Sequence, residues 1–485
     1  MSAAPTPRVF AAVDIGASGG RVIAGEVITH SDDSQTVALH TVHRFPNGIH
    51  EADGHLRWDI GALYEAVLTG LGALVRDFPT VESIGIDTWA VDYALLDANG
   101  DVLADPIAYR DSRTERVIDE VHAKVGAAEL YRRNGLQHLP FTTLYQLAAE
   151  QSSDLWPKAA HALLLPDLLA YWLTGELRSE YTNASTTGLI DVHQRVWSTD
   201  LLDRLGVPLD LFPPLEQPGA VRGTVQPSLT SVFGLPASLR VVTVGSHDTA
   251  SAVVGVPATH DHFAYVASGT WSLVGLELAG PVITDASRAA NFTNEAGVDG
   301  RIRYLRNVGG LWLLQESIRE WEANGVPCEL AQLLREAADL PVNSRFIDVD
   351  DESFIAPGNM PARISAAAAK AGARVPDTPA EFTALIIDSL AAGYARTIDQ
   401  AIALADRPVE VVHIVGGGSQ NELLCRRTAE FSGRTVIAGP VEATALGNVC
   451  VQAMAAGALP HDLDAVRAVI ARSSTLVTYP GATPS

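Results

Sequence analysis

Residues 9–15 are apolar except for Asp14, and Gly16-Ala17-Ser18-Gly19-Gly20 follows before apolar character resumes over residues 21–27. That pattern predicts a buried strand, a tight turn and a second strand. A dinucleotide-binding glycine loop opens a helix after its strand, so this hairpin argues against such a dehydrogenase. Helical spacing covers residues 60–74. A short strand over residues 83–86 ends at Asp87-Thr88-Trp89-Ala90-Val91-Asp92. Residues 93–102 suggest a hairpin through Asn99-Gly100. Helices are expected between residues 114 and 173, and Pro213, Pro214, Pro218, Gly219, Pro227 and Pro236 mark a loop-rich stretch.

The pattern then returns. A strand over residues 240–244 leads into Gly245-Ser246-His247-Asp248-Thr249 and a helix from Ala250. Residues 263–267 and 271–278 read as strands around Ser268-Gly269-Thr270. Hairpins with small-residue turns thus open both halves of the chain. This weak repeat suggests a duplicated domain, with a boundary between residues 252 and 253. Two such turns facing each other across a cleft could grip one polyphosphate. Taken alone, each is an ordinary tight hairpin. Later, a strand over residues 409–415 meets Gly416-Gly417-Gly418 ahead of a helix, where a ligand can approach backbone closely at the positive helix end. A strand over residues 435–437 and a helix from Thr444 follow.

Length and composition narrow the class. The 485 residues exceed one compact core, and 47% apolar content is globular. A formal charge of −23 argues against a nucleic-acid groove or an anionic membrane surface, since both need a basic face. The three cysteines, Cys328, Cys425 and Cys450, show neither disulfide nor zinc spacing. No signal peptide and no run near the ~18 apolar residues of a membrane span is visible, so a soluble cytoplasmic protein is expected. Residues 1–8 and 478–485 read as loose ends.

Twelve segments in consistent order carry a resemblance. Among them are DIGASGGRV, SIGIDTWAVDYALLD, PIAYRDSRT, LPFTTLYQL, SHDTASAV, SGTWSLVG, LRNVGGLWLLQE, HIVGGGSQN and IAGPVEATALGN. The chain resembles the FGGY carbohydrate kinases of the actin-like ATPase superfamily across almost its whole length. The resemblance implies an α/β protein of two actin-like ATPase (ribonuclease H-like) domains around an inter-domain cleft. It also implies ATP and Mg²⁺, a small-molecule ketose as acceptor, and a monomer or homodimer. DTWAVD, SHDTASAV and NVGGLWLLQ favour the branch acting on L-rhamnulose over the xylulose and glycerol kinases.

Roles follow position by position. From the residues alone, Asp248 or Thr249 either caps the following helix or projects into a cleft. The resemblance makes Asp248 the general base that accepts the sugar hydroxyl proton. Ala90, His247, Asp248, Thr249 and Asn307 match substrate positions. Asp92 and Arg110 are further polyol candidates, and Trp89 either stacks on the sugar or packs inside. Ala17, Ser18, Gly19, Gly20 and Arg21 resemble the first phosphate loop, with Gly19 where the family branch often carries serine. Thr270, Gln315 and Gly417 match nucleotide positions. Asp14 matches a position near Mg²⁺, acting through water. Gln146 stands where the family generally carries lysine. Gly255 is expected near the inter-domain crossing. Other ketoses or polyols, and a non-catalytic actin-like ATPase or sugar sensor, remain alternative readings.

Overall fold

The computed structural model describes residues 6–481. Chain contacts divide it into two compact units. One contains the described residues up to Gly255 with Leu278–Tyr304 and Ala443–Ser473. The other contains Val256–Glu277, Leu305–Glu442 and the described residues from Ser474 onward. The parts of the expected loose ends at residues 1–5 and 482–485 lie outside the described residues. The remainder is not loose: Arg8 begins the first strand and Val477–Tyr479 is an edge strand.

The first unit is built on a sheet of β1 (Arg8–Gly16), β2 (Gly19–Thr29), β3 (Gln35–Pro46), β4 (Val81–Thr88), β5 (Val221–Thr224) and β6 (Arg240–Val242). Their order is β5-β6-β4-β1-β2-β3, with β1 antiparallel to β2 and parallel to β4. Both sheet faces are covered, so β1 and β4 are apolar almost throughout instead of alternating. Helices Ile60–Asp77 and Leu165–Thr174 bury one face through Val67, Leu71, Leu74, Leu168 and Leu173. Each such side chain contributes about 1.5–3 kcal/mol. Helices Asp248–Val254, Ala443–Ala455 and Leu463–Ser473 cover the other face.

Close approach on that second face requires glycine. A Cβ on Gly25 would meet Val449 at 2.4 Å, and one on Gly255 would meet the Ala443 carbonyl at 2.2 Å. Gly255 therefore permits helix packing inside this unit. The sequence-based expectation at residues 93–102 needs correction. Asn99-Gly100 does turn, closed by an isolated bridge from Leu96 to Val102. The regular ladder partner of Tyr93–Leu96 is instead the distant strand His161–Leu164, which buries the pair within a second core.

The second unit repeats the opening theme. Its sheet carries β7 (Phe263–Ser268), β8 (Trp271–Leu278), β9 (Ile302–Gly309), β10 (Val411–Val415), β11 (Thr435–Ala438) and β12 (Val477–Tyr479) in the order β9-β8-β7-β10-β11-β12. β7 is antiparallel to β8 and parallel to β10, just as β1 stands to β2 and β4. The long helix Pro379–Ala405 starts with a full capping box between Thr378 and Glu381. No helix among the described residues is long and apolar enough to cross a membrane.

Candidate active site

In the first unit the parallel register puts Asp14 of β1 beside Asp87 of β4. Both sit where their strands leave the core, with only 6% and 0% of their surface exposed. Arg21 of β2, the antiparallel partner of Asp14, brings its Nη2 within 2.8 Å of Asp14 Oδ2. Asp87 Oδ2 accepts from Asn448 Nδ2 at 2.6 Å, while its buried Oδ1 has no hydrogen-bond partner. Burial and the Asp14 carboxylate, with a smaller push from Asp248, hold the Asp87 carboxyl well above the ordinary carboxylate range despite Asn448. Three acidic groups therefore share one electrostatic neighbourhood.

A buried amide chain fixes this arrangement. Gln452 donates to Asn448 Oδ1 at 2.7 Å and to the Ala11 carbonyl at 3.0 Å, and accepts from Ser83 Oγ at 2.7 Å. Gly85 makes room for it, since a Cβ there would lie 2.4 Å from Asn448 Oδ1. Sequence reading assigned no role to Asp87, Asn448 or Gln452. The available signal was an acid at the end of each of two buried strands, at equivalent depth.

Asp248 is the first residue of helix Asp248–Val254, and His247 occupies its N-cap position without a side-chain cap bond. Neither Asp248 nor Thr249 caps the helix. Thr249 Oγ1 instead donates to Asp248 Oδ1 at 3.0 Å, and His247 Nε2 lies 3.3 Å from the same oxygen. The Asp248 side chain keeps 34% exposure, so its carboxylate is reachable. The segment is anchored where Thr88 N–H donates to the Ser246 carbonyl at 2.9 Å and Glu180 accepts from Ser246 Oγ at 2.7 Å.

Ala90 follows the same strand end, half-buried. Beyond it, Val91 has φ +70°, and Asp92 N–H donates back to the Ala90 carbonyl at 3.0 Å. This is a γ-turn in a conformation costly for a β-branched residue, of order 1–3 kcal/mol. Thr143 Oγ1 and Gln146 Nε2 hold it by donating to the Val91 carbonyl at 2.7 and 3.2 Å.

Two neighbouring candidates are structural. Asp92 is buried, and its carboxylate accepts from Trp58, Trp89, the Tyr109 backbone and Gln146. Burial raises its pKa to about 6 against those donors. At 1% exposure it is closed off from a polyol. Trp89 packs against Trp58 with ring centroids 4.3 Å apart and is 7% exposed, which is the interior role. Arg110 lies over the Tyr109 ring. Gln146 accepts from Arg113 Nη2 at 2.9 Å while donating to Asp92 and to the Phe141 carbonyl. A lysine could donate but could not accept from Arg113, which gives the departure from the family pattern a physical reason.

The first small-residue turn is Ala17-Ser18, closed by Gly16 pairing with Gly19. Asn47 braces it, donating from Nδ2 to the Gly16 carbonyl at 2.9 Å. A Cβ at Gly20 would strike the Phe45 ring at 2.3 Å, and one at Gly19 would meet the Phe45 carbonyl at 3.1 Å. Serine at position 19 would therefore crowd β3.

In the second unit, Ser268, Gly269 and Thr270 form the turn between β7 and β8. The Gly269 and Thr270 carbonyls accept from Leu311 and Trp312 N–H at 3.1 and 3.2 Å, tying the turn to helix Trp312–Ala323. A Cβ on Gly418 would lie 2.0 Å from Ser268 Oγ, and Gly416 has φ +80°. The glycine loop therefore rests directly on the Ser268 turn. Gly417 is exposed, with open space where a Cβ would stand, and Gln315 is exposed on its helix. Asn307 is half-buried on β9. The helix that sequence spacing places from Glu422 runs over Glu422–Ser432, capped by Asn421, and a short 3₁₀ turn, Gly417–Gln420, separates most of the glycine loop from its N-terminus.

Comparison with known proteins matches this architecture. Residues 9–255 match the N-terminal domain model of the FGGY family of carbohydrate kinases, and residues 264–456 match its C-terminal domain model. A rhamnulokinase of Klebsiella pneumoniae subsp. pneumoniae is 43% identical over 476 residues, covering 97% of this chain and 94% of that protein. One from Enterococcus faecalis is 40% identical over 475 residues, covering 97% and 94%. Among solved structures, gluconate kinase from Lactobacillus acidophilus superposes with a TM-score of 0.80 at 15% identity, covering 98% of this chain and 94% of that one. Plasmodium falciparum glycerol kinase with ADP gives 0.75 at 13%, with coverage of 98% and 94%.

Proposed function

We propose that this chain, which belongs to the FGGY family of carbohydrate kinases, transfers the γ-phosphate of ATP to the 1-hydroxyl of L-rhamnulose. The products are L-rhamnulose 1-phosphate and ADP. The choice of sugar is supported by near-full-length likeness to proteins named rhamnulokinase. The chemistry is supported by one observation above others: a reachable carboxylate, Asp248, at the start of a helix anchored to the strand end that carries Asp87.

In this reading Asp248 accepts the hydroxyl proton as the oxygen attacks phosphorus. Ala90, His247, Thr249 and Asn307 orient the ketose. The turn at residues 17–21 and the residues Thr270, Gln315 and Gly417 hold the nucleotide, chiefly through backbone N–H groups. The donor set also fits Mg²⁺, which takes few carboxylates and keeps several waters. Asp14 and the unpaired Oδ1 of Asp87 are oxygen donors of that kind. Bound there, the ion would neutralise charge on the transferring phosphoryl group. The expected division into domains 1–252 and 253–485 assigns the base and first phosphate loop to one domain and most nucleotide contacts to the other.

Coupled ADP release over a panel of L-rhamnulose, L-fuculose and L-xylulose tests the assignment. L-Rhamnulose should give the highest kcat/KM, and Asp248→Asn should lower kcat by ~10²-fold or more with the fold retained. Preference for another ketose would move the substrate assignment within the family. ATP turnover indifferent to every sugar would instead support the non-catalytic actin-like reading.

A further inference from the structure

Behind Asp248 lies a buried ion pair that the phosphoryl-transfer scheme does not use. Arg303 and Glu295 are 0% and 6% exposed. Arg303 Nη1 stands 3.0 Å from Glu295 Oε2, and Arg303 Nε donates to the Ala296 carbonyl at 2.9 Å. Arg303 Nη2 reaches His247 Nδ1 at 3.2 Å, and Glu295 Oε2 stands 3.4 Å from that same nitrogen. On the far side of the ring, His247 Nε2 faces Asp248 Oδ1 at 3.3 Å.

A guanidinium has donors only and does not lose its charge in proteins. The His247 Nδ1 that meets Arg303 Nη2 is therefore the acceptor of that bond. A neutral imidazole with Nδ1 as acceptor carries its hydrogen on Nε2, the nitrogen 3.3 Å from Asp248 Oδ1. Thr249 Oγ1 donates to the same Asp248 Oδ1 at 3.0 Å. The Thr249 hydrogen bond and the His247 Nε2 contact thus both fall on Oδ1 and leave Oδ2 as the proton acceptor.

We infer that Arg303 locks His247 in its Nε2–H tautomer, with Glu295 balancing the guanidinium charge, and that this lock fixes the orientation of Asp248 and selects Oδ2 as the catalytic base. Arg303 and Glu295 are positioning residues, acting only through His247. Glu295 suits the task. Burial pushes its proton affinity up, but the Arg303 guanidinium leads the interactions that bring it below the ordinary carboxylate range, so the counter-charge persists at neutral pH. The inference rests on the reading of Asp248 as base, but its primary test does not depend on the sugar.

The test is long-range ¹H–¹⁵N correlation NMR on deuterated full-length protein with [¹⁵N]histidine, His247 being assigned by loss of its signals in His247→Gln. The expected wild-type result near pH 7.5 is a neutral ring protonated on Nε2, with Nδ1 unprotonated. An Nδ1–H ring, or an imidazolium bridging Glu295 and Asp248, would overturn the inference. In a second arm, Arg303→Met should release the tautomer and lower kcat by ~10–100-fold with the KM for ATP unchanged, while Arg303→Lys, which keeps a donor, should restore part of both. A folded Arg303→Met protein with the wild-type tautomer would equally overturn it. If Arg303→Met fails to fold, the wild-type spectrum still decides. A wild-type spectrum as expected, alongside no activity on any ketose, would sink the proposed function and leave the tautomer lock standing.

Discussion

Asp14 and Asp87 are register partners on adjacent parallel strands, two carboxylates held at neighbouring sheet positions about 4.8 Å apart in backbone spacing. Like charges at such a spacing are kept together only if the surrounding structure over-determines them. Arg21 on Asp14 and Asn448 on Asp87 are the visible restraints.

The pair predicts a trade of stability against turnover. The folded state raises the proton affinity of Asp87, so it retains a proton that the unfolded chain releases near pH 4. Folding stability contributed at this site therefore falls as pH rises from that point. Asp87→Asn should raise Tm at pH 8, with the gain shrinking as pH is lowered toward about 4, and should lower kcat at least ~10-fold. Thermal unfolding across pH and coupled kinetics measure both; unchanged kcat would leave Asp87 outside the reaction.

Asp92 gives a pH test away from the chemistry. Its pKa is raised to about 6 by burial, against the opposing bonds from Trp89, Trp58 and Gln146. The group binds its proton more tightly when folded. Relative to Asp92→Asn, wild-type stability should decline by about 2–3 kcal/mol between roughly pH 4 and 6 and then level off. Urea unfolding of both proteins at several pH values would show it, and parallel profiles would refute it.

Gln146 should prove costly to replace by a shape-matched apolar residue. Gln146→Leu leaves Arg113 Nη2 and the Phe141 carbonyl without a partner that Gln146 now supplies, and leaves Thr143 alone to hold the Val91 γ-turn. A loss of ~2–4 kcal/mol is expected, seen as a lower urea midpoint at unchanged slope.

Gly418 tests the nucleotide role proposed for the Ser268–Thr270 turn. An added Cβ would lie 2.0 Å from Ser268 Oγ, inside any permissible contact. Gly418→Ala should displace the Ser268–Thr270 turn, costing ~1–3 kcal/mol. The KM for ATP should rise several-fold while the KM for the sugar changes little. An effect confined to the sugar would remove this loop from nucleotide binding.

Much of this was legible in the chain itself. Apolar runs named β1, β4, β7 and β10 as strands, and small-residue turns marked both hairpins, because burial and turn sterics act over a few neighbouring residues. Local signals, a strand end, a polar stretch and a helix start, marked Asp248 as a cap or a cleft residue, and the family resemblance made it the base. What tertiary structure alone decided was pairing across long separations. Register set Asp87 beside Asp14, a span of 361 residues brought Asn448 to Asp87, and Arg303 reached His247 across 56 residues. Segments Leu278–Tyr304 and Ala443–Ser473 joined the first unit in the same way. Hydrogen bonds between buried polar groups depend on where the packed elements place their side chains. No periodicity in the sequence encodes that partner choice, so Asp92 looked like a ligand, and Asp87, named only as a strand end, had no role until the packing was seen.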